Sequence, residues 1–160
     1  MYIQDQVRYD DLGDEILSFY KAVSVDTIHL ELRGGRPKPE SKVKRSGMGQ
    51  ANTAIAQRLR SGEDCTEEFE KARELVESHG MKLNNIFMSC WEEIALAMED
   101  RDEQIGYWCQ MLESLGKAGI PCLGWNFKPM GNFRTPADTG RGGVKYSTFD
   151  YDYFMQNRPE

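Results

Sequence analysis

Residues 99–135 read EDRDEQIGYWCQMLESLGKAGIPCLGWNFKPMGNFRT, and they carry in order the signals of a helix, a buried strand and a polar loop. The helix is predicted by apolar residues at i, i+3, i+7 and i+10, which fall on one helical face. These residues are Ile105, Trp108, Leu112 and Leu115. We therefore interpret the stretch as one complete helix–strand–loop unit.

The ends of this helix and the strand after it are marked by local signals. We expect Asp100 or Asp102 to accept hydrogen bonds from the unpaired N–H groups at the helix start. Gly119 is predicted to end the helix in a left-handed conformation. Residues 120–125 form an apolar run that is too short for a helix, so we predict a fully buried parallel strand.

A dense polar cluster follows that strand directly. It consists of Asn126, Lys128, Asn132 and Arg134. In parallel α/β folds, ligands are bound by the loops at the carboxyl ends of the strands. Residues 126–134 are therefore the leading candidate for a binding site.

Residues 27–32 alternate between apolar and polar side chains, as a strand with two different faces does. The apolar set is Ile28, Leu30 and Leu32, and the polar set is Thr27, His29 and Glu31. We expect the apolar set to meet helices, which leaves Glu31 on the other face near the carboxyl end. Glu31 then either binds or supports a ligand, with His29 as proton carrier or hydrogen-bond donor, or both belong to a satisfied polar layer or a wet edge.

The rest of the chain repeats the alternation of strands and helices. The predicted elements are a strand at 1–7, helices at 10–22, 51–59 and 66–79, a strand at 83–89 and the start of a helix at 148–150. With the two strands above, this gives about four βα units, which predict a parallel sheet with right-handed crossovers. At 160 residues a single domain is the default expectation.

Residues 33–61 are a long loop or insertion within that pattern and open with RGGRPKPESKVKR. A loop of this length inside a compact domain is usually functional or disordered. It follows a strand, so in a barrel it lies on the ligand-binding side. Two interpretations are open: a mobile basic lid that attracts an anionic ligand, or a solvated excursion.

Trp91 and Arg141 are two further candidates. Trp91 follows the strand predicted at 83–89, in the same relative position as the Asn126 loop, and it either stacks on a ligand ring or covers the core. Arg141 lies in a GRGG sequence. The glycines around it permit close approach of the backbone to a ligand, but they equally make a flexible loop.

The composition excludes several classes of protein. The net charge is −6 and the sequence pI is about 5.1, which argues against nucleic acid or an anionic membrane as partner. No apolar run reaches the length of a membrane span and no signal peptide pattern begins the chain, so we expect a cytoplasmic protein. Cys65, Cys90, Cys109 and Cys122 form no CxxC pair, so we expect reduced, structural thiols.

A linked series of motifs resembles a known family. The sequence RDEQIGYWCQMLESLGKAGIPCLGWNF at 101–127, followed by FRT, GRGG and FD, is similar to the first half of mannonate dehydratases. Those enzymes belong to the xylose-isomerase-like group of (β/α)8 barrels. The resemblance implies a partial (β/α)8 TIM barrel, with residues 1–160 as a single domain equivalent to the N-terminal half.

The resemblance also implies an activity. Mannonate dehydratases are carbon–oxygen lyases of hexuronate catabolism that convert D-mannonate to 2-keto-3-deoxygluconate with a divalent metal such as manganese. A metal of this kind polarises the substrate and stabilises an enediolate. The family's Cys, His and Asp ligands come from later strands, and the histidines here, His29 and His79, do not correspond to them. We therefore assign no metal ligand in this chain.

Some binding residues are implied by the same resemblance. Trp125 and Asn126 match an aromatic–Asn pair after the fourth strand, and residues 133–135 match a Trp-Arg-Thr-like segment in which Phe133 replaces tryptophan. Asn126 is expected to bind a sugar hydroxyl and Arg134 a substrate carboxylate. The alternatives are a loop cap for Asn126 and a surface ion pair for Arg134. The full set of substrate-binding candidates is Asn126, Arg134, Trp125, Glu31, Trp91 and Arg141.

Half a barrel leaves two open sheet edges and an uncovered interior, and such edges invite pairing. We expect a homo-oligomer or a complementing C-terminal half, with a small sugar acid as ligand. The chain is then a fragment or half-subunit of a dehydratase. The alternatives are a non-catalytic or truncated sugar-binding or assembly module, and a sugar isomerase or epimerase on the same barrel.

Overall fold

The computed structural model describes residues 1–32, 44–46, 54–127 and 132–157, and the side chains of 44–46, 132 and 133 are outside the description. Most of the predicted loop at 33–61, including the proposed basic lid, therefore lies outside the described residues, as does Lys128. In the described part, one or more helices lie between each of the four parallel strands and the next along the chain.

Four strands form one parallel sheet, which confirms the predicted α/β fold. They are β1 (Gln4–Arg8), β2 (Thr27–Glu31), β4 (Lys82–Ser89) and β5 (Leu123–Asn126). Their order in space is β1-β2-β4-β5, so each strand lies beside its predecessor in the series. This arrangement of neighbouring parallel strands joined through helices is that of a partial (β/α)8 barrel.

The long helices are α1 (Asp14–Ala22), α3 (Thr66–Ser78) and α5 (Arg101–Lys117), and the short ones are α2 (Ala54–Arg60), α4 (Glu92–Ala95) and α6 (Tyr151–Asn157). Buried residues of α1, α2, α3 and α5 form one core with the apolar face of the sheet. Within the described ranges, no helix combines the length and apolarity that crossing a bilayer requires. The segment predicted as one helix at 10–22 is a 3-10 turn at Tyr9–Asp11 followed by α1, and Gly13 separates them.

A second, antiparallel sheet was not predicted. It consists of β3 (Lys44–Ser46), β6 (Asn132–Thr139) and β7 (Lys145–Thr148), in the order β3-β6-β7. Residues 136–147 are rich in glycine and proline, which is typical of a loop. In β6 the pairing with β7 shifts register between Thr135 and Asp138, so Pro136 occupies an irregularity in the ladder.

The buried face of α5 differs from the predicted one. Ile105 and Leu112 are exposed, whereas Met111 and Leu115 are buried in the core. The buried residues of the helix are Gln104, Met111, Ser114 and Leu115. This stripe and the predicted stripe share Leu115 and are rotated relative to each other by less than one third of a turn, so apolar spacing alone does not distinguish them.

The ends of α5 confirm one prediction and correct two. Gly119 has φ of 75°, and the Ile120 amide donates to the Leu115 carbonyl at 3.0 Å, so the left-handed stop forms as predicted. Asp100 makes no side-chain cap bond, and the Asp102 carboxylate instead pairs with the guanidinium of Arg101 at 2.8 Å. The following strand begins only at Leu123, and its residues are half-buried or exposed rather than fully buried.

The four cysteines are free and differ in burial. Cys65 and Cys90 are buried, whereas Cys109 on α5 and Cys122 just before β5 are exposed and do not belong to the core. Burial raises the pKa of both the Cys65 and the Cys90 thiol. These two thiols therefore remain protonated and behave as small apolar residues.

Candidate functional site at the carboxyl ends of the parallel strands

The alternation of side chains gives the parallel sheet two different faces. One face, which we call the helical face, packs on the helices and is apolar; it includes Val7, Ile28, Leu30, Ile86 and Met88. The other, which we call the polar face, carries Gln6, His29, Glu31, Asn85, Phe87, Ser89 and Asn126 on register-matched positions of the four strands. In a barrel the polar face is the one that lines the interior.

Away from the strand ends, the polar groups of the polar face are largely paired with one another, with Asn85 Oδ1 as an exception. His29 Nδ1 lies 3.0 Å from Asn85 Nδ2, and the His29 ring stacks on Phe87 with centroids 5.6 Å apart. The Gln6 amide donates a short hydrogen bond to the Glu31 carboxylate. For His29 these contacts match the interpretation as a member of a polar layer, which was one of the two left open.

Glu31 lies where the sequence pattern puts it, at the carboxyl end of β2, and it is only 5% exposed. A carboxylate that is nearly buried has to be held by hydrogen-bond donors, since its charge is costly to bury alone. Gln6 is one such donor. The geometry therefore fits a carboxylate that is held in place at the rim of the polar face.

The rim of the polar face contains unsatisfied polar atoms. Of the six buried side-chain polar atoms without a hydrogen-bond partner among the described residues, three lie on this face: Asn85 Oδ1, Ser89 Oγ and Asn126 Oδ1. Ser89 and Asn126 are register partners at the carboxyl ends of β4 and β5. Buried polar groups are nearly always paired, so such a concentration favours a ligand-binding surface.

Trp125 and Asn126 are adjacent in sequence and therefore point to opposite sides of β5. Trp125 is 55% exposed, and its ring contacts Trp108 of α5 and Phe127, at centroid distances of 6.5 and 6.4 Å. The predicted aromatic–Asn pair is thus divided between the two faces. Only Asn126 reaches the polar face.

Trp91 is fully buried, which supports the interpretation that it covers the core. Its indole N–H lies 3.0 Å from Met88 Sδ, and its ring packs edge-on against Trp108 at 5.1 Å. The guanidinium of Arg60 lies over the same ring, 5.7 Å from its centroid, and also pairs with Glu93. Arg60 was missed by the sequence analysis, because nothing in its local pattern indicates a partner more than 30 residues away.

The two candidate arginines belong to the antiparallel sheet and its turn, not to the parallel sheet. Arg134 is in β6, half-buried, and its backbone pairs with Lys44 of β3. Arg141 is exposed in the turn between β6 and β7, where Gly142 and Gly143 have φ of 73° and 77°. Gly142 and Gly143 therefore allow the backbone conformation of this turn.

Comparison with known families decides the relationship. A sequence model of the D-mannonate dehydratase (UxuA) family matches residues 41–157. The chain belongs to the D-mannonate dehydratase family. No curated protein matches the chain significantly.

The fold of the chain is also similar to that of a solved mannonate dehydratase from Streptococcus suis serotype 2. The TM-score is 0.66 at 18% sequence identity, and the match covers 96% of this chain. The chain spans 38% of the length of that dehydratase. At this identity the similarity concerns the fold, and it agrees with a partial barrel.

The dehydratases of this family are expected to use a divalent metal, so we asked whether the described side chains fit one. Among residues 1–32, 44–46, 54–127 and 132–157, no three His, Cys, Asp or Glu side chains come together as a metal site requires. Glu31 has Gln6 beside it, and Cys90 is a buried thiol with a raised pKa. The described residues therefore do not fit a resident metal.

Proposed function

We propose that the polar face binds a sugar acid, D-mannonate, and that the chain supplies the substrate-binding part of a mannonate dehydratase barrel. The observation that carries the proposal is the meeting of Glu31, Ser89 and Asn126 at the carboxyl ends of neighbouring parallel strands, in a chain of this family. Ligands of parallel barrels bind at that end of the sheet.

In this proposal the binding roles follow from charge and hydrogen-bonding capacity. Arg134 pairs with the substrate carboxylate, because a guanidinium can donate two parallel hydrogen bonds to it. Asn126 binds a hydroxyl group, and Glu31, held by Gln6, orients a neighbouring one. Three earlier candidates have no role in this binding site. Trp91 is buried, Trp125 lies on the helical face, and Arg141 lies in an exposed turn.

The dehydration itself needs a base, an acid and a group that stabilises the enediolate. We propose that these, with a divalent metal such as manganese, come from further βα units that complete the barrel. The outer edges of β1 and β5 offer the place for them, because each of these strands is paired on one side in the described sheet. Ile105 and Leu112 of α5 and Trp125 of β5 are exposed apolar side chains that further units could cover.

A turnover assay tests this proposal. The chain is incubated with D-mannonate and Mn²⁺, alone and with the C-terminal half of a mannonate dehydratase, and formation of a 2-keto acid is followed. We expect D-mannonate to bind the chain and turnover to require the added half. Failure of both binding and turnover in the two arms would contradict the proposal.

A non-catalytic sugar-binding module is the second candidate. It is favoured by the polar face itself, which offers buried hydrogen-bonding atoms for a ligand while no catalytic base is assigned on it. Binding of D-mannonate without turnover in the completed barrel would select this candidate. Light scattering on the same samples distinguishes a homo-oligomer from a monomer that needs the complementing half.

The proposal includes a cytoplasmic location in hexuronate catabolism. Its support is the set of four free cysteines, of which Cys109 and Cys122 are exposed. Exposed thiols persist in a reducing compartment. Cell fractionation with an antibody to the chain tests the location.

A further inference from the structure

Ser89 has no role in the family resemblance, yet its position is unusual. Its side chain is 3% exposed, and its hydroxyl oxygen has no hydrogen-bond partner. Asn126, its register partner on β5, has a buried Oδ1 atom in the same condition. Two adjacent unsatisfied atoms at the carboxyl ends of two paired strands are rare in native proteins unless something else binds them.

The geometry of the Ser89–Asn126 pair limits which group can bind both oxygen atoms. Neighbouring strands lie about 4.8 Å apart, so the two side chains leave the sheet at about that separation. The two oxygens are not hydrogen-bonded to each other, since neither has any partner. A single oxygen atom about 2.8 Å from each of them fits between the two side chains.

The chemistry of the pair limits the ligand group further. Asn126 Oδ1 only accepts hydrogen bonds, whereas the Ser89 hydroxyl both donates and accepts. A carboxylate oxygen satisfies Ser89 but repels Asn126 Oδ1, and an ammonium group satisfies Asn126 but leaves the Ser89 proton unused. A hydroxyl group donates to Asn126 Oδ1 and accepts from Ser89 at the same time.

We propose that Ser89 and Asn126 together bind one hydroxyl group of a polyhydroxylated ligand, apart from the subsite for its carboxylate. The identity of the ligand as a sugar acid rests on the proposed function above. The hydroxyl subsite itself rests on the two unsatisfied atoms. It makes Ser89 a specificity-determining residue that selects for a hydroxyl at one carbon of the ligand.

The test is a comparison of affinities measured by isothermal titration calorimetry. D-mannonate and its mono-deoxy analogues, each lacking one hydroxyl, are titrated into the wild-type chain and into Ser89→Ala. We expect Ser89→Ala to weaken D-mannonate about 5- to 10-fold, as loss of one buried neutral hydrogen bond does. One deoxy analogue, lacking the bound hydroxyl, should bind wild type and Ser89→Ala equally.

Ser114→Ala is the matched control. Ser114 is also a buried serine, but its hydroxyl lies 3.1 Å from Asp64 Oδ1 and from the Gln110 carbonyl oxygen, on the helical side. We expect this variant to bind D-mannonate as wild type does, within about 2-fold. The deoxy analogue whose affinity Ser89→Ala leaves unchanged should also be the one whose affinity Asn126→Ala leaves unchanged.

The outcomes separate this inference from the proposed function. An unchanged D-mannonate affinity in Ser89→Ala, or an equal weakening of every analogue, would overturn the hydroxyl subsite while leaving the function standing. If wild type binds no sugar acid, the proposed function fails, and titration with mannitol decides the inference. Mannitol binding that Ser89→Ala weakens would support the subsite, and no mannitol binding would overturn it as well.

Discussion

The two faces of the parallel sheet are built from the same strands but differ in polarity and in hydrogen bonding. On the helical face, Ile28, Leu30 and Ile86 are fully buried against helices and present no polar atom. On the polar face, Ser89 and Asn126 hold buried polar atoms that nothing in the described structure pairs. Successive residues of a strand point to opposite faces, so the alternation of apolar and polar residues in the sequence produces the difference.

This contrast separates stability from binding. Burial of apolar side chains on the helical face supplies the favourable free energy of folding, because that energy scales with apolar area removed from water. Unpaired polar atoms on the polar face lower stability, and proteins tolerate such groups mainly where function needs them. Substitutions on the two faces should therefore have effects of different size and different kind.

The largest expected effect on stability comes from comparing Trp91 and Trp125, which the sequence analysis both named as substrate-binding candidates. Trp91→Ala should lower the free energy of unfolding by about 4 kcal/mol, because it empties a fully buried site under Arg60 and Trp108. Trp125→Ala should cost less than about 1 kcal/mol, since that side chain is largely exposed. Urea unfolding measures both, and similar losses would show that the two residues share one environment.

Adjacent residues on β2 sharpen the contrast between the faces. Leu30→Ala should lower the free energy of unfolding by about 3 kcal/mol through the cavity it leaves in the core. His29→Ala, one position earlier, should cost about 1 kcal/mol, mainly by removing the partner of the Asn85 amide. Equal losses in thermal unfolding would contradict the assignment of the two side chains to different faces.

Acid unfolding should depend on carboxyl groups between α2 and α3 and at the start of α3. Hydrogen bonds from Arg58 lower the pKa of Glu63 and of Glu68, and the Thr66 hydroxyl and amide lower the pKa of Asp64. Carboxyls with lowered pKa stabilise the fold above their unfolded pKa values, about 4, and this contribution is lost as the pH falls through the folded values. Stability should therefore be level from pH 7 to 5 and fall below about pH 4.

Arg58→Gln is the variant that checks this cause. Without the guanidinium, the pKa values of Glu63 and Glu68 return toward their ordinary range, so less stability is lost on acidification. Urea unfolding at pH 7, 5, 4 and 3 measures the slope in each protein. If the free energy of unfolding depends on pH equally in Arg58→Gln and wild type, the ion pairs of Arg58 are not the cause of the loss in acid.

The smallest expected effect is at Ser89. Because its buried hydroxyl has no partner, Ser89→Ala should not lower the free energy of unfolding and should raise it by up to about 1 kcal/mol. Ser114→Ala should cost about 1 kcal/mol, since it removes a hydroxyl bonded to Asp64 and to the Gln110 carbonyl. A large loss in Ser89→Ala would mean that its hydroxyl is paired in the free protein.

The parallel sheet was predictable because its signals are local. The alternation in residues 27–32 assigns both faces of β2 correctly, and Gly119 ends α5 with the expected positive φ. The antiparallel hairpin was not predictable, because Pro136 and the GRGG turn are typical of loops. Only the register shift in β6 explains how a proline fits there.

The candidate site was predictable in part for the same reason. Glu31 and Asn126 were found from their places at strand ends, which depend only on strand order. The unsatisfied state of Ser89 could not be found, since it depends on which atoms of other strands fail to reach it. The burial of Trp91 also depends on Arg60 and Trp108, which are distant in sequence.

The most direct test of the account is a titration of the ¹⁵N-labelled chain with D-mannonate followed by amide chemical shifts. The account predicts saturable shifts at Glu31, Ser89 and Asn126, at the carboxyl ends of three parallel strands, with amides in the middle of α3 and α1 unaffected. No shifts at saturating ligand, or shifts confined to the helices, would contradict the assignment of the polar face as the ligand-binding face.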